Sequence, residues 1–230
     1  MTDARRILVL APHADDETLG MGATIAKRAR QGCAVTVAVM TGHGGGNNPA
    51  GPPELWEKIR GEAGKAAAAL GVAPFQFFDL PAVRLLDIPT HEPNGVVNAL
   101  VREVRPNELY LPFHNDMHRD HEVLARAGLV AARGYLKANH DLNLVAMYET
   151  PTETHLVPPS VATPFVPNHY EDVTETITAK LAAWACYASQ HQHGATPRSP
   201  EALRSLATVR GADIGVAAAE AFVIVRQVRL

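Results

Sequence analysis

Short apolar runs alternate along the chain with segments of helical spacing. Arg6 to Ala11 is the first run, ended by Pro12. It is apolar at consecutive rather than alternate positions, which predicts a strand buried on both faces of a parallel sheet. Thr18 to Gln31 follows with helical periodicity, and Gly32 suits its stop. Cys33 to Met40 predicts a second buried strand, and a glycine-rich loop from Thr41 to Pro49 follows it. Pro53 to Leu70 reads as a helix stopped by Gly71, Phe75 to Phe78 as a third strand, and His91 to Arg105 as a helix that ends before Pro106. Glu108 to Pro112 is a fourth strand, His121 to Tyr135 a helix, and Asn143 to Tyr148 a fifth strand. Such alternation predicts an α/β fold with a parallel sheet and right-handed crossovers.

Beyond the fifth strand the pattern weakens. Thr150 to Pro167 is rich in Pro, Thr and Ser without periodicity, the signature of a surface loop able to cover a site. Thr174 to Gln190 is helical, with Ile177, Leu181, Trp184 and Ala188 on one face. Another helix starts at Ser199, with Pro200 at its first position and Glu201 in its first turn. Ala219 to Val225 predicts a last strand. With no internal repeat, low-complexity tract or linker, residues 1–230 are expected to form a single domain.

Composition narrows the function. The chain has 21 Lys and Arg against 24 Asp and Glu, a net charge of −3, which argues against electrostatic capture of nucleic acid or of an anionic membrane. No apolar run is long enough for a membrane span. The first residues lack the pattern of a signal peptide, because the apolar stretch is short and leads straight into acidic residues. Cys33 and Cys186 cannot make a disulfide framework and read as buried, inert thiols. A cytoplasmic protein is expected.

The chemistry concentrates at two strand ends. The first strand runs into Pro12-His13-Ala14-Asp15-Asp16-Glu17, one imidazole beside three carboxylates. Alone, these acids would suit a helix N-terminus. The fourth strand, however, runs into Phe113-His114-Asn115-Asp116-Met117-His118-Arg119-Asp120-His121, another patch of imidazoles and carboxylates. A doubly wound sheet of order 3-2-1-4-5 makes these strands neighbours, with their carboxyl ends bordering the ligand-binding crevice. The two patches, about a hundred residues apart, are therefore expected to face each other. Two His and one Asp with an open position suit a borderline-soft divalent metal.

Pro12-His13-Ala14-Asp15-Asp16-Glu17 resembles the His-Pro-Asp-Asp-Glu signature of the LmbE-like (PIG-L) zinc-dependent N-deacetylases, and His118-Arg119-Asp120-His121 resembles that family's His-x-Asp-His motif. The likeness extends through Trp56 to Glu62, Ala68 to Gly71, Pro167 to His169, Lys180 to Gln190, Pro197 to Leu203 and Arg210 to Phe222. Ala14, where the family usually has Pro, removes a backbone constraint but no ligand. Ala82 follows Pro81 where related sequences often carry Asp, which bears on the substrate. The resemblance implies an LmbE-like deacetylase fold, a Rossmann-like three-layer sandwich with a mostly parallel sheet. It implies His13, Asp16 and His121 as ligands of Zn²⁺, with Fe²⁺ or Co²⁺ able to use the same set. Asp15 would be the general base. His118, protonated and oriented by Asp120, would stabilise the oxyanion, and Arg60 would contact substrate. The implied reaction removes an N-acetyl or other N-acyl group from an amino-sugar-containing small molecule, releasing acetate and an amine. Family habit implies a homo-oligomer.

Other residues carry plainer expectations. Asp120 also suits a helix cap, and His114 and Asp116 suit either a supporting role at the metal or a solvated loop. Glu17 is expected to support the loop. His191 and His193 read as cations at a helix C-terminus, and Trp56 and Trp184 as core or interface anchors. A nucleotide-binding protein and a non-catalytic metal-binding protein are the alternatives, and the residues fit them less well. Gly20-Met21-Gly22 would need a third glycine at Ile25 to bind a dinucleotide. A structural zinc site would be rich in Cys and would leave no open position.

Overall fold

The computed structural model describes residues 4–46, 48–192 and 194–229. Seven strands form one sheet in the order β3-β2-β1-β4-β5-β7-β6. They are β1 (Arg6–Ala11), β2 (Ala34–Gly42), β3 (Gln76–Pro81), β4 (Glu108–Pro112), β5 (Leu144–Tyr148), β6 (His169–Asp172) and β7 (Ala219–Gln227). The first five are parallel in the expected 3-2-1-4-5 order, and β7 and β6 add an antiparallel edge.

Six helices cover the sheet: α1 (Asp16–Arg30), α2 (Pro53–Leu70), α3 (His91–Val104), α4 (Arg119–Ala131), α5 (Ile177–Cys186) and α6 (Pro200–Ala212). Helices α1, α2 and α5 pack together on one face, and α3 and α4 on the other. The strand β1 shows why its sequence is apolar throughout. Ile7, Val9 and Ala11 point into the first core and Leu8 and Leu10 into the second, all 0–1% exposed. The result is the three-layer α/β sandwich with a mostly parallel sheet.

Several elements differ from their sequence expectations. Helix α1 starts at Asp16 and is kinked at Met21, where Glu220 accepts the freed amides of Ala23 and Thr24 and pairs with Lys180 at 2.7 Å. Helix α4 starts at Arg119, because the His118 imidazole caps it by accepting the Asp120 N–H at 3.2 Å. It ends at Ala131, where Asn139 takes over the carbonyls of Ala131 and Arg133. The expected helix to Gln190 stops at Cys186 and continues as a 3-10 turn. Strand β6 was not expected: its sequence, His169-Tyr170-Glu171-Asp172, is polar, and only pairing with β7 makes it a strand. Both cysteines are half-buried rather than buried.

Strands β1 and β4 pair side by side, with Ile7 opposite Glu108. Their carboxyl ends therefore open at the same place, the point where the sheet order reverses. The two polar patches meet there.

Candidate metal centre and active-site cavity

His13, Asp16 and His121 converge. The Asp16 carboxylate oxygen Oδ2 lies 3.2 Å from His13 Nδ1 and 3.2 Å from His121 Nε2. Ligands about 2.0–2.1 Å from a tetrahedral cation stand roughly 3.3 Å apart, so this spacing fits one ion. The outer nitrogens are also fixed. His13 Nε2 lies 3.1 Å from Asp120 Oδ2, and His121 Nδ1 lies 2.8 Å from Asp116 Oδ2. Each imidazole thus has a carboxylate to hold its N–H on the far side and frees its other nitrogen toward Asp16, the arrangement that orients histidine ligands. His121 Nε2 is buried without a hydrogen-bond partner although it faces Asp16, as a nitrogen built to bind an ion would be. These residues fit a divalent metal.

The charges agree. Burial works against protonation of His13 and His121, but the surrounding carboxylates prevail: Asp120 and Asp16 raise His13 to about 9, and Asp16 and Asp116 raise His121 to about 10. Asp16 is held well below the usual carboxylate range, because the two imidazoles outweigh its burial. The pocket therefore attracts positive charge at Asp16. Nitrogens of His13, His118 and His121 also lie within 4.8 Å of one another, which places His118 at the edge of the same centre.

Asp15 sits beside the centre in a strained backbone, with φ of 133°. Such strain persists only where the surroundings over-determine it. Here the Asp15 N–H donates to Glu17 Oε2 at 3.1 Å, and Glu17, fully buried, is itself bound by Thr18 and by the Tyr187 hydroxyl at 2.7 Å. Glu17 thus supports the loop, as expected. The Asp15 carboxylate lines a cavity of about 240 Å³ together with Asp16 and His13. Burial, and then the charge of Asp16, raise Asp15 to about 8 against the pull of Arg198.

Three residues with expected roles have surroundings of their own. Asp120 orients His118 through its backbone N–H and not its carboxylate, which binds His13 and accepts the amides of Val83 at 2.6 Å and Leu85 at 3.1 Å. The surroundings of His118 also favour its neutral form. Burial, then the charges of His13 and His121, push it down to about 4, and its Nδ1 is already an acceptor from the Asp120 N–H. Its proton therefore belongs on Nε2. Arg60 does not line the cavity: its guanidinium lies over the Phe77 ring, 5.2 Å from the centroid, with Asp79 at 3.9 Å.

Further residues complete the site or lie beside it. Asp116 supports His121 and is itself bound by the Thr154 hydroxyl at 2.6 Å. Arg198, just before α6, reaches Asp15 Oδ2 at 2.9 Å. Trp56 lines the cavity with Leu55 and Ile59, opposite Glu153, Gln190 and Arg198, whereas Trp184 is core. His114 stacks on Phe113 away from the centre, His191 bonds the Trp184 carbonyl, and His193 lies outside the described residues. A larger cavity of about 500 Å³ opens among Arg28, Glu108 and Glu171, but its charges neutralise one another, Arg28 meeting Glu171 at 2.5 Å. Among the described residues no helix is long and apolar enough to cross a membrane.

A buried carboxylate-and-imidazole centre at the reversal of a mostly parallel sheet, with a spare carboxylate in the adjoining cavity, defines a metal-site α/β protein. Residues 8–132 match the family described as PIG-L: GlcNAc-PI de-N-acetylase, and the chain belongs to it. An Escherichia coli K12 protein named uncharacterized deacetylase YaiS is 29% identical over 179 residues, 77% of this chain and 87% of that one. A 1D-myo-inositol 2-acetamido-2-deoxy-alpha-D-glucopyranoside deacetylase from a Nocardioides species is 32% identical over 57% of this chain, which spans only 55% of that enzyme. The conserved protein TT1542 of Thermus thermophilus superposes with a TM-score of 0.76 at 26% identity, over 98% of this chain and 97% of the other. The 4-carboxy-2-hydroxymuconate hydratase of Pseudomonas putida shares the fold with a TM-score of 0.76 at 19% identity, over 98% of each chain.

Proposed function

We propose that this chain is a zinc-dependent amide hydrolase that removes the N-acetyl group from an amino-sugar-containing small molecule. The observation that carries this reading is the division of labour between adjacent carboxylates. Asp16 Oδ2 stands between the two imidazole nitrogens, whereas Asp15 is bonded to Arg198 at the wall of the cavity that both carboxylates line. The fold alone does not select this chemistry, since a hydratase shares it. Family membership and the deacetylases among the relatives support the choice of an N-acetyl substrate.

His13, Asp16 and His121 would hold the zinc, which would supply Lewis-acid activation of water and of the amide carbonyl. Asp15 accepts a proton from the attacking water and delivers it to the departing amine, a role suited to a carboxyl poised near neutrality. His118 acts as a neutral donor: with Nδ1 occupied by the Asp120 N–H, its Nε2–H is free to bond the oxyanion as the carbonyl becomes tetrahedral. Water and the amide are consumed, and acetate and a free amine leave. At about 240 Å³ the cavity is smaller than the roughly 300–1,000 Å³ of sites for drug-sized ligands. It accepts the acetamido sugar and leaves the remainder of a conjugate outside.

The test is a panel of N-acetylated amino sugars, free and conjugated, given to the zinc-loaded protein with amine and acetate both measured. Equal release of the two from at least one member is expected. Absence of amine from every member, with zinc bound, would refute the reading.

A further inference from the structure

We propose that Arg198 is a positioning residue that holds the Asp15 carboxylate off the metal and so keeps it available as a base. The inference rests on the deacetylase reading for what Asp15 does, but not for where Asp15 is held.

Asp15 and Asp16 are consecutive, and the cation pocket lies at Asp16. A second carboxylate so close is itself a good ligand for a divalent cation. Were it to swing onto the metal, the open position would close and the base would be lost. Something must oppose this. Among the described residues, the Asp15 carboxylate has one hydrogen bond, from Arg198 Nη1 to Oδ2 at 2.9 Å. It leaves the other oxygen without a partner, facing the cavity.

Arg198 is held for this task from several directions. Its Nε donates to Thr152 Oγ1 at 3.1 Å, and its Nη2 stands 3.8 Å from Glu153 Oε1. The residue after it, Ser199, caps α6 by accepting the Ala202 N–H. Helix α6 is fixed in turn by Arg210, whose guanidinium grips Glu149 at 2.9 and 2.6 Å just past β5. The arginine side chain is only 15% exposed and the carboxylate 5%, so the pair is charge-assisted and shielded from competing water. A salt bridge serving stability alone has no need to point into the cavity, where breaking and desolvating it is costly.

The experiment compares wild type with R198A and R198K, zinc-loaded for kinetics and cobalt-loaded for visible spectroscopy. R198A is expected to lose about 100-fold in kcat with KM within about threefold, to bind zinc as tightly as wild type or more so, and to show a cobalt spectrum of higher coordination number. Adding D15A to R198A should return that spectrum to the wild-type form. R198K and added guanidinium should each restore part of kcat. An unchanged cobalt spectrum in R198A overturns the proposal. So does a loss confined to KM, which would make Arg198 a substrate contact, or weakened zinc binding or unfolding in both variants, which would make it a structural strap. If wild type released no amine from any substrate, the deacetylase reading would fail, and the cobalt comparison would still decide where Asp15 is held.

Discussion

Replacing Asp116 with Asn tests whether the centre is built as described. Asp116 Oδ2 holds the His121 Nδ1–H at 2.8 Å, and both side chains are fully buried. Its other oxygen accepts from the Thr154 hydroxyl at 2.6 Å, and that hydroxyl in turn accepts the Thr150 N–H. An amide has one acceptor oxygen for these two donors. If the oxygen serves His121, the amide nitrogen confronts the Thr154 hydroxyl, which has no alternative acceptor in place. If it serves Thr154, an N–H faces an N–H at His121. Loss of such a supporting partner typically costs 10–100-fold in metal affinity, and with both side chains fully buried the expectation is the upper end, about 100-fold. That corresponds to about 2.7 kcal/mol. D120N should cost less, about 10-fold, because His13 is 22% exposed and the carboxylate sits 3.1 Å away. The measurement is a zinc dissociation constant by competition with a chelator for both variants, alongside a thermal melt. A D116N protein that binds zinc within twofold of wild type, or a D120N defect larger than that of D116N, would refute the reasoning that His121 is the more deeply supported ligand.

Other consequences can be measured independently. D15N should keep its zinc and lose about 10²–10⁴-fold in kcat, the usual range for a general base; a variant with wild-type turnover would remove Asp15 from the chemistry. His13 and His121 hold protons up to about 9 and about 10 when no cation is present. Zinc binding at pH 7 should therefore release at least one proton, and affinity should rise with pH below 9. Calorimetry in buffers of different ionisation enthalpy reads this directly, and release of less than one proton would contradict the assigned ligand atoms. G128A would drive a methyl group into the Leu111 side chain where α4 packs on β4. It should lower stability by about 1–3 kcal/mol in a denaturant melt.

The centre was legible in the sequence where a physical rule connected residues far apart. Buried parallel strands announce themselves by consecutive apolar residues, and the 3-2-1-4-5 order then brings His13 and His121 together without any local signal. Asp116 was undecided because loop position alone does not say which way a carboxylate turns; its bond to His121 does. The start of α4 was placed too late because an imidazole cap falls outside the Ser, Thr, Asp and Asn signature. Arg60 and Arg198 show the limit most clearly. Family resemblance alone suggested Arg60 as a substrate contact, and its guanidinium lies against Phe77. Arg198 stands in a Pro-rich stretch 183 residues from Asp15, and only the docking of α6 through Arg210 and Glu149 brings it in.

Five acidic residues crowd this centre, and their partners explain why only one faces the cation pocket. Asp116 is committed to His121 and Thr154, Asp120 to His13 and two amides, Glu17 to Tyr187 and the Asp15 amide, and Asp15 to Arg198. Asp16 alone faces imidazole nitrogens that a metal can take from it. Three consecutive carboxylates reach such different fates because the backbone bends between them. A φ of 133° at a non-glycine residue costs on the order of 1–3 kcal/mol. The Glu17 bond to the strained amide offsets part of that cost, and the two neighbouring carboxylates take different partners, Arg198 for Asp15 and the two imidazoles for Asp16. The loop is thus set so that one carboxylate is left for the metal and its neighbour for the proton.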